Sequence, residues 1–560
     1  MTASALPPAL VLIAAGILLP MLSGRLRPTL LLLAPLLTLY LIWQVPDGVA
    51  ARHAYLGYEL VLVKGDALSR LFATVFAIMA FAGGLFALNQ RRVIELAAAF
   101  CYAGAAIGVT FAGDWLTVFI FWELMAIAST LIIWSVGPSA YGAGLRYAAI
   151  HLLGGVLLMA GIVGEIASTG STAFDKLTLD SVPRGLILAA FLLNAGAWPL
   201  SAWLPDAYPE SSWSGMVFLS AFTTKTAVFV LLRTFPGTEL LIYVGLFMVF
   251  YGIIYAILEN DMRRILAYSI VNQVGFMVVG IGIGTEMALN GAAAHAFTHI
   301  IYKALLLMSA GSVLYMTERR KCTDLGGLFR TMPFTAICGI VGALSISSFP
   351  LTSGFVSKSM ISEAAGKEHL AVVWYLLAAA SAGVFLHAGI KFPWFVFFQK
   401  DSGLRPAEPP WNMRMAMAFF AVLCIGIGVA PQALYALLPF GVDYIPYTAS
   451  HVVFYLQLLL FSGLAFFLML NLLKRTLTIT LDVDWLYRRA GVSLAKSFDR
   501  LAGRGWSGIA TWTTGGASAV GRAARYYHGP EGILARSLPT GAMAFWAAIM
   551  LVIYLALFYL

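Results

Sequence analysis

The sequence is poor in charge. Only 11% of its 560 residues are Asp, Glu, Lys or Arg, and 61% are hydrophobic. Soluble domains carry about a quarter charged residues, so this composition excludes an ordinary soluble enzyme. The longest polar stretch covers residues 475–537, and no soluble catalytic domain fits between the apolar runs. We therefore expect the chain to lie mostly within a membrane.

Cysteine is also scarce. Without CxxC or clustered spacing, the cysteines do not indicate an iron–sulfur or zinc site. The sequence also lacks a GxGxxG nucleotide motif, a P-loop and a haem-attachment motif. We predict that the chain holds no cofactor and no metal, and that its function does not depend on ATP bound here. The four isolated cysteines are Cys101, Cys322, Cys338 and Cys424.

Long apolar runs are abundant. We count about sixteen runs of roughly 20 residues, without the two-residue alternation of a membrane β-barrel. Because backbone groups in lipid must pair within their own segment, the runs predict helices. The expected fold class is an all-α polytopic membrane protein with about 16 transmembrane helices. The runs centre near residues 15, 37, 79, 103, 125, 156, 192, 223, 249, 273, 302, 345, 385, 421, 461 and 549.

The stretch 480–535 has a different pattern. It mixes basic residues with apolar ones at helical spacing, including Trp485, Phe498 and Trp506. This pattern predicts an amphipathic helix that lies at the cytoplasmic interface, anchored by tryptophan and arginine. The alternative is a loosely ordered basic loop.

The net charge of +9 has a topological explanation. If successive runs alternate in direction, most Lys and Arg residues fall in one set of loops. The positive-inside rule then places these loops in the cytoplasm and both chain termini on the outer face. Because topology accounts for the basic charge, a nucleic-acid partner is not indicated.

Two runs are interrupted by proline, the seventh at Pro199 and the twelfth at Pro350. Proline removes a backbone donor and breaks a helix. Two broken helices five spans apart predict two inverted five-helix repeats with a transport site between them, and the alternative is two ordinary kinks. The expected divisions are N-terminal helices (1–90), a first repeat (93–235), a second repeat (238–400), C-terminal helices (410–474), a basic segment (475–537) and a last helix (538–560).

Four lysines lie inside apolar runs, namely Lys225, Lys303, Lys358 and Lys391. A charge at the bilayer centre costs from about 3 to more than 10 kcal/mol, so such residues indicate a function. Amines that switch between charged and neutral forms suit the movement of protons or cations. Lys358 and Lys391 could instead snorkel toward the interface, whereas Lys225 is nearest a span centre. Glu123 is a predicted proton acceptor or, alternatively, an interhelical hydrogen-bond partner.

Histidines accompany the lysines in two runs. HAFTHIIYK places His295, His299 and Lys303 at i, i+4 and i+8, on one helix face. Imidazole accepts on one nitrogen while it donates from the other, which predicts a proton relay along this face. An i, i+4 histidine pair can also bind a metal, but no nearby glutamate supports that alternative. His387 and Lys391 form a second pair four residues apart.

Several motifs occur in order: WLPDAYPESSWSGMVFLSAFTTKT, DMRRILAYSIVNQVG, HAFTHIIYKALLLMSAGSV, DLGGLFRTMP and SSFPLTSGFVSK, with FWELMAIAS upstream. Over about residues 60–430 the chain resembles the antiporter-like membrane subunits shared by respiratory complex I and Mrp-type sodium/proton antiporters. Residues 482–489 and the last run resemble the D-type Mrp subunit. The resemblance implies a fourteen-helix core of two inverted repeats, each with a half-channel, joined by a central line of charged residues.

The resemblance also implies residue roles. Glu123 matches the family's fifth-helix glutamate, Lys225 the eighth-helix basic residue, and Lys358 the lysine of the broken twelfth helix. The histidine and lysine row of the eleventh helix matches as well. The proton relay predicted from these matches and from the buried charges comprises Glu123, Lys225, His295, His299, Lys303, Lys358 and Lys391.

One position departs from the family pattern. The family places a lysine five residues before the proline of the broken seventh helix, where it pairs with the fifth-helix glutamate. Here that position is Asn194, and the nearby histidine position is Ser201. We therefore expect Glu123 to lack its cation, which either disables or alters proton transfer in the first repeat. Alternatively, Lys225 substitutes as the partner, or Asn194 helps to bind a different ion. His151 stands alone in the sixth run, which is typical of a structural residue.

Together these features predict a proton or monovalent-cation translocating subunit of a multisubunit complex in a prokaryotic inner membrane, similar to the D-type Mrp subunit. This is a secondary transporter subunit, whose expected partners are other membrane subunits, protons, Na⁺ as one candidate cation, and lipid. The first alternative is the proton-pumping subunit of a redox-driven complex, such as an NADH-quinone oxidoreductase or a membrane-bound hydrogenase. The second is a non-transporting scaffold subunit.

Overall fold

The computed structural model describes residues 6–55, 57–476, 481–537 and 539–559. This part of the chain is mostly helical, as expected where backbone groups have no water to pair with. Twelve of its helices are long and apolar enough to cross a membrane, and four apolar helices of 10–17 residues accompany them. The prediction of a polytopic helical membrane protein is confirmed.

The helices follow one another closely along the chain. The first ten are α1 (Pro8–Leu18), α2 (Leu26–Ile42), α3 (Ala67–Phe86), α4 (Val93–Phe111), α5 (Trp115–Trp134), α6 (Pro138–Thr169), α7 (Val182–Ala195), α8 (Trp203–Ala207), α9 (Gly215–Leu219) and α10 (Thr223–Thr234). The others are α11 (Leu240–Leu258), α12 (Met262–Ile283), α13 (Glu286–Thr317), α14 (Pro333–Ile346), α15 (Ser353–Lys367), α16 (Ala371–Val384), α17 (Trp411–Val429), α18 (Gln432–Tyr435), α19 (Ala449–Leu468), α20 (Asp484–His528) and α21 (Thr540–Tyr559).

A β-hairpin lies between α2 and α3. Strand β1 (Gly48–Tyr55) pairs antiparallel with β2 (Tyr58–Gly65). The expectation of an all-α fold is therefore wrong here. β2 contains β-branched residues that suit a strand, and the backbone amide of Val61 donates to Asp114 Oδ2 at 2.7 Å. A search for long apolar runs does not detect such a short strand pattern.

Three membrane segments of the described chain are interrupted. α7 and α8 are separated around Pro199, and α14 and α15 around Pro350. Proline predicts both breaks, because it cannot continue the backbone hydrogen-bond ladder. The third break, between α9 and α10 at Ser220–Phe222, contains no proline and was not predicted.

α16 continues into π-helical backbone over Phe385–Lys391, and Trp394–Phe398 is π-helical as well. Between them, Pro393 supplies no backbone donor. The prediction for His387 and Lys391 assumed α-helical spacing, which this segment does not have. Short π-helical stretches often occur at functional sites.

α11 and α12 pack at very short range. A Cβ at Gly245 would lie 2.6 Å from the Gly275 carbonyl oxygen, and one at Gly252 would lie 2.7 Å from the Tyr268 carbonyl oxygen. Small residues permit this close approach of membrane helices. A larger side chain at either glycine of α11 would push the helices apart.

The described chain forms two compact units, 1–484 and 485–560. In the first unit, most buried apolar side chains belong to one continuous core. In the second, α20 is a 45-residue helix that mixes basic, aromatic and small residues, and α21 is a 20-residue apolar helix. α20 covers most of the stretch 480–535, whose first residue lies outside the described ranges. Its location at a membrane interface stays a prediction.

Candidate functional site

The four predicted lysines are buried. Lys225, Lys303 and Lys358 are 0% exposed, and Lys391 is 4% exposed. Among the described residues, none of the four forms an ion pair with a carboxylate. A buried amine without a counter-charge needs other polar partners. The groups that accept hydrogen bonds from each lysine are therefore described in turn.

Lys225 lies at the break between α9 and α10. Its Nζ donates to the Ser220 carbonyl oxygen at 2.6 Å and to Thr224 Oγ1 at 3.1 Å. Ser220 follows the last turn of α9, where carbonyl groups have no partner in a continuing helix. The interruption thus supplies the acceptor that stabilises the buried amine.

Lys358 lies just after the break between α14 and α15. Its Nζ donates to the carbonyl oxygen of Ile346, the last residue of α14, at 3.0 Å. It also lies 4.9 Å from the centre of the Phe276 ring, a cation–π arrangement. The negative end of the α14 dipole therefore takes the place of a carboxylate.

Lys391 uses a third helix end. Its Nζ donates to the carbonyl oxygens of Ala256 at 3.2 Å, Glu259 at 2.6 Å, and Ile257. These residues form the C-terminal end of α11 and the turn that follows. Lys391 also lines a cleft of about 490 Å³ together with Glu259, Cys322 and Arg475, so this amine borders an open cavity.

His295 belongs to a continuous polar network. Its Nδ1 lies 3.1 Å from Ser357 Oγ, and its Nε2 lies 3.1 Å from Gln273 Oε1. The Tyr302 hydroxyl donates to the same Gln273 oxygen at 3.1 Å. Ser357 directly precedes Lys358, so the network reaches the broken helix. Gln273 and Ser357 were not predicted, although polar residues within the quoted apolar motifs could have identified both.

His299 and Lys303 continue the row on α13. Both ring nitrogens of His299 are buried without a hydrogen-bond partner among the described residues. The His299 ring stacks on that of His295 with centroids 6.2 Å apart, and Lys303 Nζ donates to Ser269 Oγ. The described chain has no group of three or more His, Cys, Asp or Glu residues suited to a metal ion.

Glu123 is half-buried on α5. Its Oε1 has no hydrogen-bond partner within the described residues. The carboxylate occupies the space beside Gly155 of α6, where a Cβ would lie 2.1 Å from Oε1. Lys225 does not bond to this carboxylate, since its Nζ is directed to Ser220 and Thr224.

His151 has a hydrogen-bond partner on another helix. Its Nδ1 lies 2.9 Å from Oδ1 of Asn194 at the end of α7. Both side chains are buried, and His151 Nε2 has no partner among the described residues. Ser201 lies in the break after α7, buried, with its hydroxyl also unpartnered there. The two positions that depart from the family pattern thus both lie inside the protein.

A group of buried hydroxyls adjoins His151, and sequence reasoning missed it. The Tyr147 ring lies 4.0 Å from the His151 ring and 6.3 Å from that of Tyr208. Isolated tyrosines in different apolar runs offered no spacing pattern that could have predicted this group. We call it the tyrosine cluster, and its members are Tyr102, Ser129, Tyr147, Tyr208 and Thr223.

His387 lies in the π-helical segment and is buried. Its Nδ1 donates to the Gly383 carbonyl oxygen at 2.9 Å, and its Nε2 has no partner among the described residues. No hydrogen bond joins His387 to Lys391 in this part of the chain. The two residues are thus close in sequence but use different acceptors.

The chain matches the family described as NADH:quinone oxidoreductase/Mrp antiporter, TM, over residues 112–386. It is 30% identical over 347 residues to the D-type component of the Na(+)/H(+) antiporter of Alkalihalophilus pseudofirmus. That alignment covers 56% of this chain and 67% of the relative. The chain belongs to this family. All the predicted site residues except His387 and Lys391 lie within the span that the family matches.

Other relatives in the family differ in length. The chain is 31% identical over 360 residues to the A/B component of a probable K(+)/H(+) antiporter of Rhizobium meliloti, an alignment that covers 59% of this chain but 36% of that protein. The chain therefore spans about a third of this relative. It also shares its fold with a chain of the Mrp complex from Dietzia sp. DQ12-45-1b, with a TM-score of 0.77 and 22% identity over 92% of this chain and 62% of that one.

Proposed function

We propose that the chain is an ion-translocating subunit of a multisubunit membrane complex, similar to the D-type component of a Na⁺/H⁺ antiporter. The observation that carries this proposal is the set of four buried amines without a carboxylate partner among the described residues. Burying each amine costs from about 3 to more than 10 kcal/mol. A purely structural subunit would be more stable with apolar residues at these positions. The proposed substrates are protons and a monovalent cation, and the proposed partners are other subunits in a prokaryotic inner membrane.

The carbonyl groups at helix ends can bond to a lysine amine in both its charged and its neutral form. Carbonyl oxygens accept hydrogen bonds from an ammonium group and also from a neutral amine, which still carries N–H donors. Lys225, Lys358 and Lys391 therefore keep a partner before and after they release a proton. A carboxylate partner would instead hold the amine in its charged form.

Charge repulsion between neighbouring side chains links one proton-transfer step to the next. His295, His299 and Lys303 follow one another at four-residue spacing on α13, about 6 Å apart. Two positive charges at that distance repel by about 3 kcal/mol at an effective dielectric constant of ~20. Protonation of one group thus favours release from the next. The proposed relay comprises Glu123, Lys225, His295, His299, Lys303, Lys358 and Lys391.

Matching helices support two inverted repeats over 93–235 and 238–400. α4 and α11 both contain 19 residues, and α6 and α13 both contain 32. The side chain of Asp114 caps α5 and that of Asp261 caps α12 in the same way. The fourth segment is broken in both halves. The fifth is broken before Lys225 in one half and π-helical up to Lys391 in the other.

The charge distribution supports an orientation. We propose that all sixteen apolar segments cross the membrane, with the arginine-rich loops in the cytoplasm and both termini outside. α20 would then lie along the cytoplasmic interface, where its basic and aromatic side chains suit lipid headgroups and neighbouring subunits. The remaining proposed divisions are 1–90, 410–474, 475–537 and 538–560.

The test is ion exchange by the intact complex. The complex would be purified in mild detergent with its partner subunits and reconstituted into liposomes. A pH-sensitive dye inside the liposomes then reports exchange driven by Na⁺ or K⁺ gradients. Lys225→Ala is expected to abolish exchange, whereas Lys176→Ala, at an exposed position, leaves it unchanged.

Two experimental outcomes would favour one of the alternative functions. If Lys225→Ala exchanges ions at the normal rate, the scaffold alternative gains and the relay fails. If the purified complex contains redox subunits with iron–sulfur absorbance, the chain serves a redox-driven pump. The identity of co-purifying proteins separates this last alternative from a gradient-driven antiporter.

A further inference from the structure

The third helices of the two proposed repeats can be compared directly, because α6 and α13 both contain 32 residues. Counted from their N-terminal ends, His151 of α6 occupies the position of His299 of α13, and Gly155 occupies that of Lys303. The first repeat thus keeps a histidine but lacks the lysine one turn further on. The carboxylate of Glu123 fills the space left at Gly155, so an acid from α5 stands where the second repeat has an amine.

Asn194 determines which nitrogen of His151 is free. The amide Oδ1 of Asn194, 2.9 Å away, accepts a hydrogen bond, so Nδ1 carries the hydrogen. Nε2 then keeps its lone pair, and it is buried without a partner among the described residues. The imidazole ring is enclosed by the rings of Tyr147 at 4.0 Å and Trp203 at 4.7 Å. This is a basic nitrogen held in a fixed orientation inside the protein.

The tyrosine cluster extends from His151 toward Lys225. The Tyr147 hydroxyl donates to Ser129 Oγ at 2.9 Å. The hydroxyls of Tyr102 and Thr223 are hydrogen-bonded at 2.5 Å. Thr223 is the first residue of α10, two positions before Lys225.

Tyr208 lies between these two hydroxyl pairs. Its hydroxyl is close to those of Tyr102, Tyr147 and Thr223, but it makes no hydrogen bond among the described residues. A hydroxyl both donates and accepts, so the Tyr208 hydroxyl is suited to pass a proton from one pair to the other. Buried hydroxyl groups therefore follow one another from the imidazole to Thr223, two residues before Lys225 at the broken helix.

We infer that His151 is a proton-transfer residue of the first repeat, acting between the Glu123 carboxyl group and the tyrosine cluster. This inference rests on the proposed function. The Glu123 carboxyl group gives a proton to His151 Nε2, and the imidazolium then releases its Nε2 proton to the Tyr147 hydroxyl while Nδ1–H stays bonded to Asn194. Each hydroxyl accepts one proton as it releases its own, so one proton reaches the Lys225 amine and the hydroxyls are unchanged. Asn194 is a positioning residue, because it sets the free nitrogen.

His151→Gln tests this role in the reconstituted complex. Glutamine still donates a hydrogen bond to Asn194 but cannot take up a proton, and general acid–base groups contribute about a hundredfold or more. We expect the exchange rate to fall by at least about tenfold. The matched control is His53→Gln, at an exposed position of β1, which leaves the rate unchanged.

A second substitution separates proton transfer from a structural role. Asn194→Lys in the His151→Gln background places an ionisable amine at the position that contacts residue 151, and recovery of exchange supports the inference. A double variant that assembles normally but stays inactive would assign His151 a structural role and overturn it. If the His151→Gln complex does not assemble, the Tyr147→Phe variant provides the test, since it keeps the aromatic ring and removes the hydroxyl group. Loss of exchange then supports the relay, and a normal rate refutes it.

The two proposals fail in different ways. A wild-type complex that exchanges no ions refutes the proposed function and, with it, this inference. A wild-type complex that exchanges ions at the same rate as the His151→Gln variant refutes only the role of His151.

Discussion

Replacing Lys358 by methionine is expected to preserve or raise stability while it abolishes ion exchange. Methionine fills a similar volume without charge. The change loses the hydrogen bond to the Ile346 carbonyl, about 1 kcal/mol, and the contact with Phe276, about 2 kcal/mol when desolvated. It removes the cost of burying an ammonium group, about 3 to more than 10 kcal/mol. The balance ranges from about neutral to more than about 7 kcal/mol in favour of methionine.

Thermal unfolding and transport, measured on the same preparation, test this balance. The apparent Tm of the Lys358→Met complex should equal or exceed that of the wild type, while dye-reported exchange falls to background. Lys176→Met, at an exposed position, should change neither quantity. A variant that loses several degrees of Tm and still exchanges ions would show that Lys358 is a structural anchor, and the reasoning on buried amines would be refuted.

Two further predictions concern other parts of the first unit. Gly155→Ala should displace the Glu123 carboxylate, because the added Cβ would lie 2.1 Å from Oε1. The exchange rate should then fall toward that of Glu123→Gln. Gly142→Ala should leave the rate unchanged, because its Cβ would make only an ordinary contact of 3.5 Å with the Arg146 guanidinium. Burial raises the pKa of Asp66, but the Arg233 guanidinium and hydrogen bonds outweigh it and hold that pKa below its usual range. Asp66→Asn should therefore cost about 0.5–1 kcal/mol at neutral pH, measured by Tm, and the difference should vanish as the pH falls through the lowered pKa.

The buried lysines share an arrangement that bears on transport. Three of them bond to carbonyl oxygens where a helix ends or breaks, not to acidic side chains. Helix ends present unpaired carbonyl groups and a partial negative charge. Such a partner stabilises the charged amine without forming a strong ion pair, so less free energy opposes proton release. In this protein, two broken helices and the end of α11 supply the electrostatic partners of these amines.

The two proposed repeats are built differently at equivalent positions. The second repeat has His295, His299 and Lys303 in one row. The equivalent positions of the first repeat are Tyr147, His151 and Gly155, with the Glu123 carboxylate beside the glycine. Asn194 at the end of α7 forms a hydrogen bond with the histidine of this set. The substitutions proposed above test whether the two residues act together.

Much of the fold was predictable from local properties. Apolar runs of about 20 residues predict helices because lipid offers the backbone no other partner, and proline predicts two breaks because its effect is confined to its own turn. The break before Lys225 was not predictable in this way, since no residue at Ser220–Phe222 disrupts a helix by itself. The β-hairpin was missed because it is too short to appear as an apolar run.

The sequence by itself determined that the chain is a helical membrane protein, that four amines lie within it, and that two histidines and a lysine share one face of α13. Tertiary structure alone decided what those groups contact: the carbonyl of Ile346 for Lys358, the end of α11 for Lys391, and Asn194 for His151. Spacing along one helix is set by its own geometry. Contacts between residues far apart in the chain depend on how the helices pack and where they break, which no local pattern encodes.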